Sequence, residues 1–118
     1  MNQRIDAVLP AEHITASSAG ASLDVRDLEG EVTLKLSADA TPATDNTLDV
    51  AVEQSDDEIN WEPVANVSFD QITNAAPSLQ EQAVRVDGLA RYLRATDTLG
   101  GTSPEATRCL LLIGESKY

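Results

Sequence analysis

Two segments of this chain alternate apolar and polar residues so regularly that they set the backbone period at two. In "EVTLKLS", Val32, Leu34 and Leu36 share one face, and Thr33 and Lys35 share the other. "TLDVAVEQS" repeats the arrangement, with Leu48, Val50 and Val52 set against Asp49, Ala51 and Glu53. Successive side chains of a strand point to opposite faces, so this alternation buries one face and wets the other. A helix would instead need apolar residues three and four apart. Leu23 and Val25 in "SLDVRD", and Val84 and Val86 in "QAVRVDG", continue the pattern. "RYLRATDT" reads as a strand from its β-formers. "EATRCLLLIG" reads as a last strand that is apolar on both faces at residues 110 to 113.

Turn-forming clusters separate these runs: "DATPATDN", "SDDEIN", "TNAAPS", "DGLA" and "LGGTSPE". Short strands at such spacing predict an all-β domain, a single antiparallel β-sandwich of jelly-roll type, with an immunoglobulin-like order as the alternative. The one helical signal is Ser78 followed by Glu81 at capping-box spacing, which allows a single short helical turn in "TNAAPSLQEQAV". Residues 1–13 have no strong pattern and read as an N-terminal arm or an edge strand broken by Pro10, ahead of a sandwich over 14–118. In the last strand, Leu110 and Leu112 face either a covering loop or a neighbouring subunit, because one face of an antiparallel sandwich strand normally meets solvent.

At 118 residues the chain is about one domain, and a 42% hydrophobic share can build a core without cross-links. The single cysteine, Cys109, leaves no internal disulfide or zinc pattern and reads as a buried, inert thiol. "MNQRIDAVLPAEH" lacks the basic and apolar regions of a secretion signal, and no run is apolar enough to span a membrane. The net charge of −12 disfavours nucleic acid and keeps copies apart until a specific contact forms.

Catalytic chemistry is thinly supplied. His13 is the sole histidine and reads as exposed. No G-x-S-x-G, P-loop, G-x-G-x-x-G or H-E-x-x-H motif occurs, and "LGGTSPE" lacks the lysine of a phosphate cradle and reads as a hairpin loop. Asp56, Asp57 and Glu58 are consecutive, so their carboxylates splay apart rather than circling a calcium ion. They fit a solvated hairpin tip, with Trp61 starting the returning strand and covering the core. A glycan contact at Trp61 is the alternative. Asn66-Val67-Ser68 is a formal glycosylation sequon placed within a strand. We therefore expect no enzyme activity, cofactor or metal.

Three stretches in order carry a resemblance. "TLDVAVEQSDDEINWEPVANVSFDQIT", then "VRVDGLARYLRATDTLGGTSPEAT", then "CLLLIG" resemble a pattern in tailed-phage and prophage virion proteins, across roughly residues 47–114. The resemblance implies a decoration or cement protein on the outside of a phage capsid, made in the host cytoplasm. The implied partners are the major capsid protein and further copies of the chain, with no nucleic acid or membrane; a closed cyclic interface suits a trimer. The bend of that pattern carries Asp-Gly, whereas here Glu58 follows Asp57, so we expect a longer turn with Asn60 in the left-handed conformation. The same serine–bend–tryptophan rhythm occurs in carbohydrate-recognising sandwiches, which makes a virion-borne carbohydrate module the alternative function, beside a head–tail or tail component. The interface candidates are Arg4, Ile5, Val8 and Leu9 in the N-terminal segment, Arg91 and Arg94, and Leu110 and Leu112.

Overall fold

The computed structural model describes residues 2–117; Met1 and Tyr118, which the expected segments 1–13 and 14–118 include, lie outside the described residues. The strands are β1 (Asn2–Ile14), β2 (Ser18–Ala19), β3 (Leu23–Asp24), β4 (Leu28–Ala38), β5 (Thr47–Ser55), β6 (Glu62–Pro63), β7 (Ser78–Arg85), β8 (Tyr92–Gly100) and β9 (Ala106–Ser116). They form two antiparallel sheets, β1-β9-β4-β7 and β2-β8-β5-β6, with β3 also paired to β8. A short 3₁₀ turn at Val86–Gly88 is the helical element among the described residues.

β2 and β3 share one neighbour and act as a single interrupted strand. Counted so, the chain has eight strands, ordered first-eighth-third-sixth in one sheet and second-seventh-fourth-fifth in the other. First pairs with eighth, second with seventh, third with sixth and fourth with fifth, which is one long hairpin wound around a core. This is the jelly roll. An immunoglobulin-type sheet would set its first two strands side by side, but β1 and β2 lie in opposite sheets. Because of the winding, most connections cross between sheets, and the β5–β6 link is the local hairpin. "LGGTSPE" therefore bridges β8 to β9 across the sandwich and is not the hairpin loop read from its glycines.

The alternation in β4 and β5 sets the core. Val32, Leu34, Leu36, Leu48, Val50 and Val52 all point between the sheets, where they meet Leu93 and Ala95 from β8. Leu110 and Leu112 close the layer from β9, and both are fully buried. A fully buried leucine contributes about 1.5–3 kcal/mol, so these side chains dominate the stability of the sandwich.

β1 is an edge strand that pairs with β9 from Asn2↔Ser116 to Ile14↔Ala106. Its register shifts on either side of Leu9, next to Pro10. Proline donates no ladder hydrogen bond, so an irregular edge accommodates it. At the opposite edge, β7 pairs with β4 without a break, from Ala38↔Ser78 to Glu31↔Arg85. The capping-box turn read at Ser78–Glu81 is thus a strand, since eight residues of pairing outweigh one local cap. Asn66 of the sequon lies in a turn at φ 65°, not in a strand.

Candidate functional site

At the β5–β6 tip, the Ser55 hydroxyl accepts the amide N–H groups of Asp57 (3.2 Å) and Glu58 (3.0 Å). The Asp57 carboxylate then accepts the amides of Ile59 and Asn60, both at 2.9 Å, and the Asn60 side-chain amide. The Asn60 and Ile59 amides, followed by the Ser55 and Asn60 side chains, hold the Asp57 carboxyl far below the usual carboxylate range. Asp57 is therefore the organiser of the turn rather than a loose surface charge. Glu58, at φ 61°, takes the left-handed position expected for Asn60. The network it sits in compensates for the strain of a side chain in that region.

Trp61 does not cover the core. Its ring lies half-buried on the outer face of the second sheet, with the Arg94 guanidinium 4.3 Å from the ring centroid. Arg94 also donates to Glu53 at 2.9 Å, directly across the β5–β8 ladder. The core is filled by leucine and valine instead, which left the ring free to stack on a cation. A shallow depression of about 300 Å³ adjoins it, lined by Trp61, Gln54, Asp57 and Asn60.

The other interface candidates divide by the side of the sheet they occupy. Arg4 reaches Asp6, Asp27 and the Asp24 carbonyl, the last at 2.8 Å. Arg91 donates to Asp24 at 3.1 Å and lies 4.9 Å from the Tyr92 centroid. The Arg26 amide, then the Arg91 guanidinium, lowers the Asp24 carboxyl, and Asp24 in turn raises Arg91. Arg4, Arg91 and Arg94 thus have their carboxylates within the chain. Val8, Leu9, Leu110 and Leu112 are core residues, buried between the sheets, and do not line an interface. In the run 110–113 the outward residues are Leu111 and Ile113. Four successive apolar residues carry no alternation, and assigning them one residue out of phase reverses every side chain.

Leu111 and Ile113 lie in an apolar patch on the β1–β9 side of the outer face of the first sheet. Ile5 and Thr33 flank Ile113, and Ala7 and Lys35 flank Leu111. Beyond the polar residues Thr33, Lys35 and Ser37 of β4, β7 presents Ala83, Glu81 and Leu79, and Ser37 separates Leu79 from Cys109. Ile5 is 58% exposed and Leu79 67%. Cys109 is half-buried here, not sealed in the core. The charges near the centre neutralise each other, with Lys35 3.5 Å from Glu81. Acids collect at one end, where Glu29, Glu31 and Glu115 line a shallow hollow with Ile113. An apolar patch of Ile5, Ala7, Leu111 and Ile113, bordered by the polar column Thr33, Lys35 and Ser37, on a chain of charge −12 is the kind of surface that marks an interaction site.

One polar feature escaped the sequence reading. Arg108 and Asp97 are both buried, and the guanidinium grips the carboxylate through Nε (2.9 Å) and Nη2 (2.6 Å). Its Nη1 donates to the Pro10 carbonyl at 2.8 Å, so one side chain ties β9 to β8 and to the irregular part of β1. The signal was present in the phase: Arg108 lies two residues before Leu110, and Asp97 two after Ala95, both on inward positions.

His13 is exposed, with Nδ1 2.9 Å from the Thr107 hydroxyl and Nε2 3.2 Å from Glu105. Among the described residues, no group of three or more His, Cys, Asp and Glu side chains is placed to hold a metal ion, and no helix is long and apolar enough to cross a membrane.

No family model matches the chain, and no curated protein sequence matches it. Among solved structures it is similar to a chain in the structure of infectious bursal disease virus, Gx strain, with a TM-score of 0.61 over 95% of its length at 7% identity. It spans 31% of that chain. At this identity the likeness is one of fold.

Proposed function

We propose that this chain is a non-enzymatic structural protein of a virion, a decoration or cement protein on the outside of a tailed-phage capsid. The observation that carries the reading is the apolar patch of Ile5, Ala7, Leu111 and Ile113 on the outer face of β1 and β9 in a jelly roll. That strand order recurs in viral capsid and lectin domains, and the chain is similar in fold to part of a chain from a virus structure.

The face would act as a rigid plate against the major capsid protein. Ile5, Leu111 and Ile113 supply the apolar centre, and the acidic end sets orientation by charge. Residues 2–13 already pair along β9, so the face is preorganised and binding does not have to order an arm. Each contact is modest in area, and many copies together resist shell expansion. The charge of −12 keeps unbound copies dispersed and away from packaged nucleic acid.

The test is a titration of expanded capsids lacking the protein with purified wild type and Ile5→Asp, read by co-sedimentation. Wild type saturates the shells stoichiometrically. Ile5→Asp binds at least tenfold more weakly, with an unchanged melting temperature because Ile5 is largely exposed. Equal binding by the two proteins would remove the face from the proposal.

The second reading is a carbohydrate contact at Trp61, favoured by the half-exposed ring beside its depression. Arg94 already occupies one side of that ring, leaving a single surface for a sugar to stack on. Retention on a glycan array that Trp61→Ala abolishes, with no binding to shells, selects this reading. Attachment at the tail vertex in place of the shell selects a head–tail or tail component.

A further inference from the structure

Three of the four sheet edges are guarded in ways that discourage strand addition. β1 carries Pro10, two register shifts and the charged residues Arg4, Asp6 and Glu12. β2 and β3 are two residues each, and β6 is two residues ending in Pro63. Short edge strands, prolines, bulges and charges are the devices by which sheet proteins avoid edge pairing. β7 has none of the backbone devices: it runs eight residues in unbroken register with β4, without proline, lysine or bulge. Among the described residues it pairs on one side only, and Leu79 on it is 67% exposed. The 64–71 segment flanks it: Val64–Asn66 face Ala83–Arg85 across a groove of about 300 Å³, and the Gln80 side chain, on the inward side of the strand, accepts the Asp70 amide at 2.7 Å and donates to the Asp70 carbonyl at 3.1 Å.

We propose that β7 is a self-pairing edge: two copies of this chain join β7 to β7 antiparallel about a two-fold axis at Ala83, forming one eight-stranded sheet. The occupant follows from the charge order of the strand. With Ala83 opposite its own copy, Glu81 of each copy falls opposite Arg85 of the other, twice by symmetry, and Gln82 falls opposite Val84. Opposite charges across a strand pair are favourable and like charges are not. Moving the axis to Gln82 sets Glu81 against Ala83 and Leu79 against Arg85, and the complementarity disappears. Among the described residues, Glu81 and Arg85 hold long, exposed contacts, to Lys35 and to Asp87, each at 3.5 Å, so re-pairing across the axis displaces little. A small residue at the axis lets the strands approach. A two-fold isologous contact closes on itself, in place of the trimer expected from sequence. The outer faces of the two copies then form one eight-stranded surface, with an Ile5–Leu111–Ile113 patch at each end. The inference stands independently of the capsid reading, because it is measured without shells.

Sedimentation velocity from micromolar to millimolar protein tests it. Wild type passes from monomer to dimer. Arg85→Glu and Ala83→Lys, each checked for an unchanged melting curve, weaken the dimer about tenfold, since each sets like charges across the axis. The double variant Glu81→Arg/Arg85→Glu restores it by exchanging the partners. A chain that stays monomeric throughout, one that forms trimers, or a dimer insensitive to the charge exchange would each overturn the proposal.

Discussion

Replacing Asp97 with asparagine removes one charge from a buried pair and leaves the other behind. Arg108 is 3% exposed and Asp97 is fully buried by side chain, so neither has water to fall back on. Breaking a buried pair by removing one partner costs about 3–5 kcal/mol, and Arg108 would keep only the exposed Glu12 carboxylate, 3.8 Å away. A domain of this size has about 5–15 kcal/mol in total, and roughly 4 °C of melting temperature per kcal/mol. Asp97→Asn is therefore expected to melt about 12–20 °C lower, with a lower urea midpoint at unchanged slope. Since Arg108 also holds the Pro10 carbonyl, hydrogen exchange should rise first in β1. The double variant Asp97→Leu/Arg108→Met removes both charges and should recover most of the loss, because a well-packed apolar replacement is often neutral or better. A single variant costing less than about 1 kcal/mol would refute the reasoning, as would a double variant no better than the single.

Glu58→Gly should stabilise by about 0.5–1 kcal/mol in urea, because glycine relieves a left-handed residue at φ 61° while losing some entropy of its own. Gly101→Ala should cost about 2 kcal/mol or more; at φ 112° its new Cβ would sit 2.4 Å from the Asp45 carbonyl oxygen. Asp57, Asp45 and Asp24 all have folded-state values below their ordinary 3.8. Their contribution is complete above that value and is lost on acidification, as protons bind the unfolded chain more readily. With salt added to screen the net charge, the melting temperature should be flat from about pH 7 to 5 and fall between about 4 and 2. Asp57→Asn should make that fall shallower.

The strands that alternate cleanly, β4 and β5, were legible down to individual inward residues. The phase of β9 was hidden by its four apolar residues in a row, although Arg108 two places earlier carries the clue, since a buried arginine needs a buried acid. β7 was half hidden because "SLQEQAVR" is rich in helix-formers and becomes a strand only by pairing along β4. Trp61 was misplaced because large aromatics usually fill cores, whereas here Leu34, Leu36, Leu48, Leu93, Leu110 and Leu112 already fill it. The outer apolar face belongs to no single stretch of chain. Ile5, Leu111 and Ile113 meet only once the winding sets β1 beside β9, and no local pattern encodes that order.

The most direct test of the account is an image reconstruction of capsids saturated with the protein, at a resolution that orients a jelly roll. Density is expected on the outer surface at capsomer junctions, with the Ile5–Leu111–Ile113 face turned toward the shell. Shells that remain bare, or copies attached through the Trp61 side of the second sheet, would contradict it.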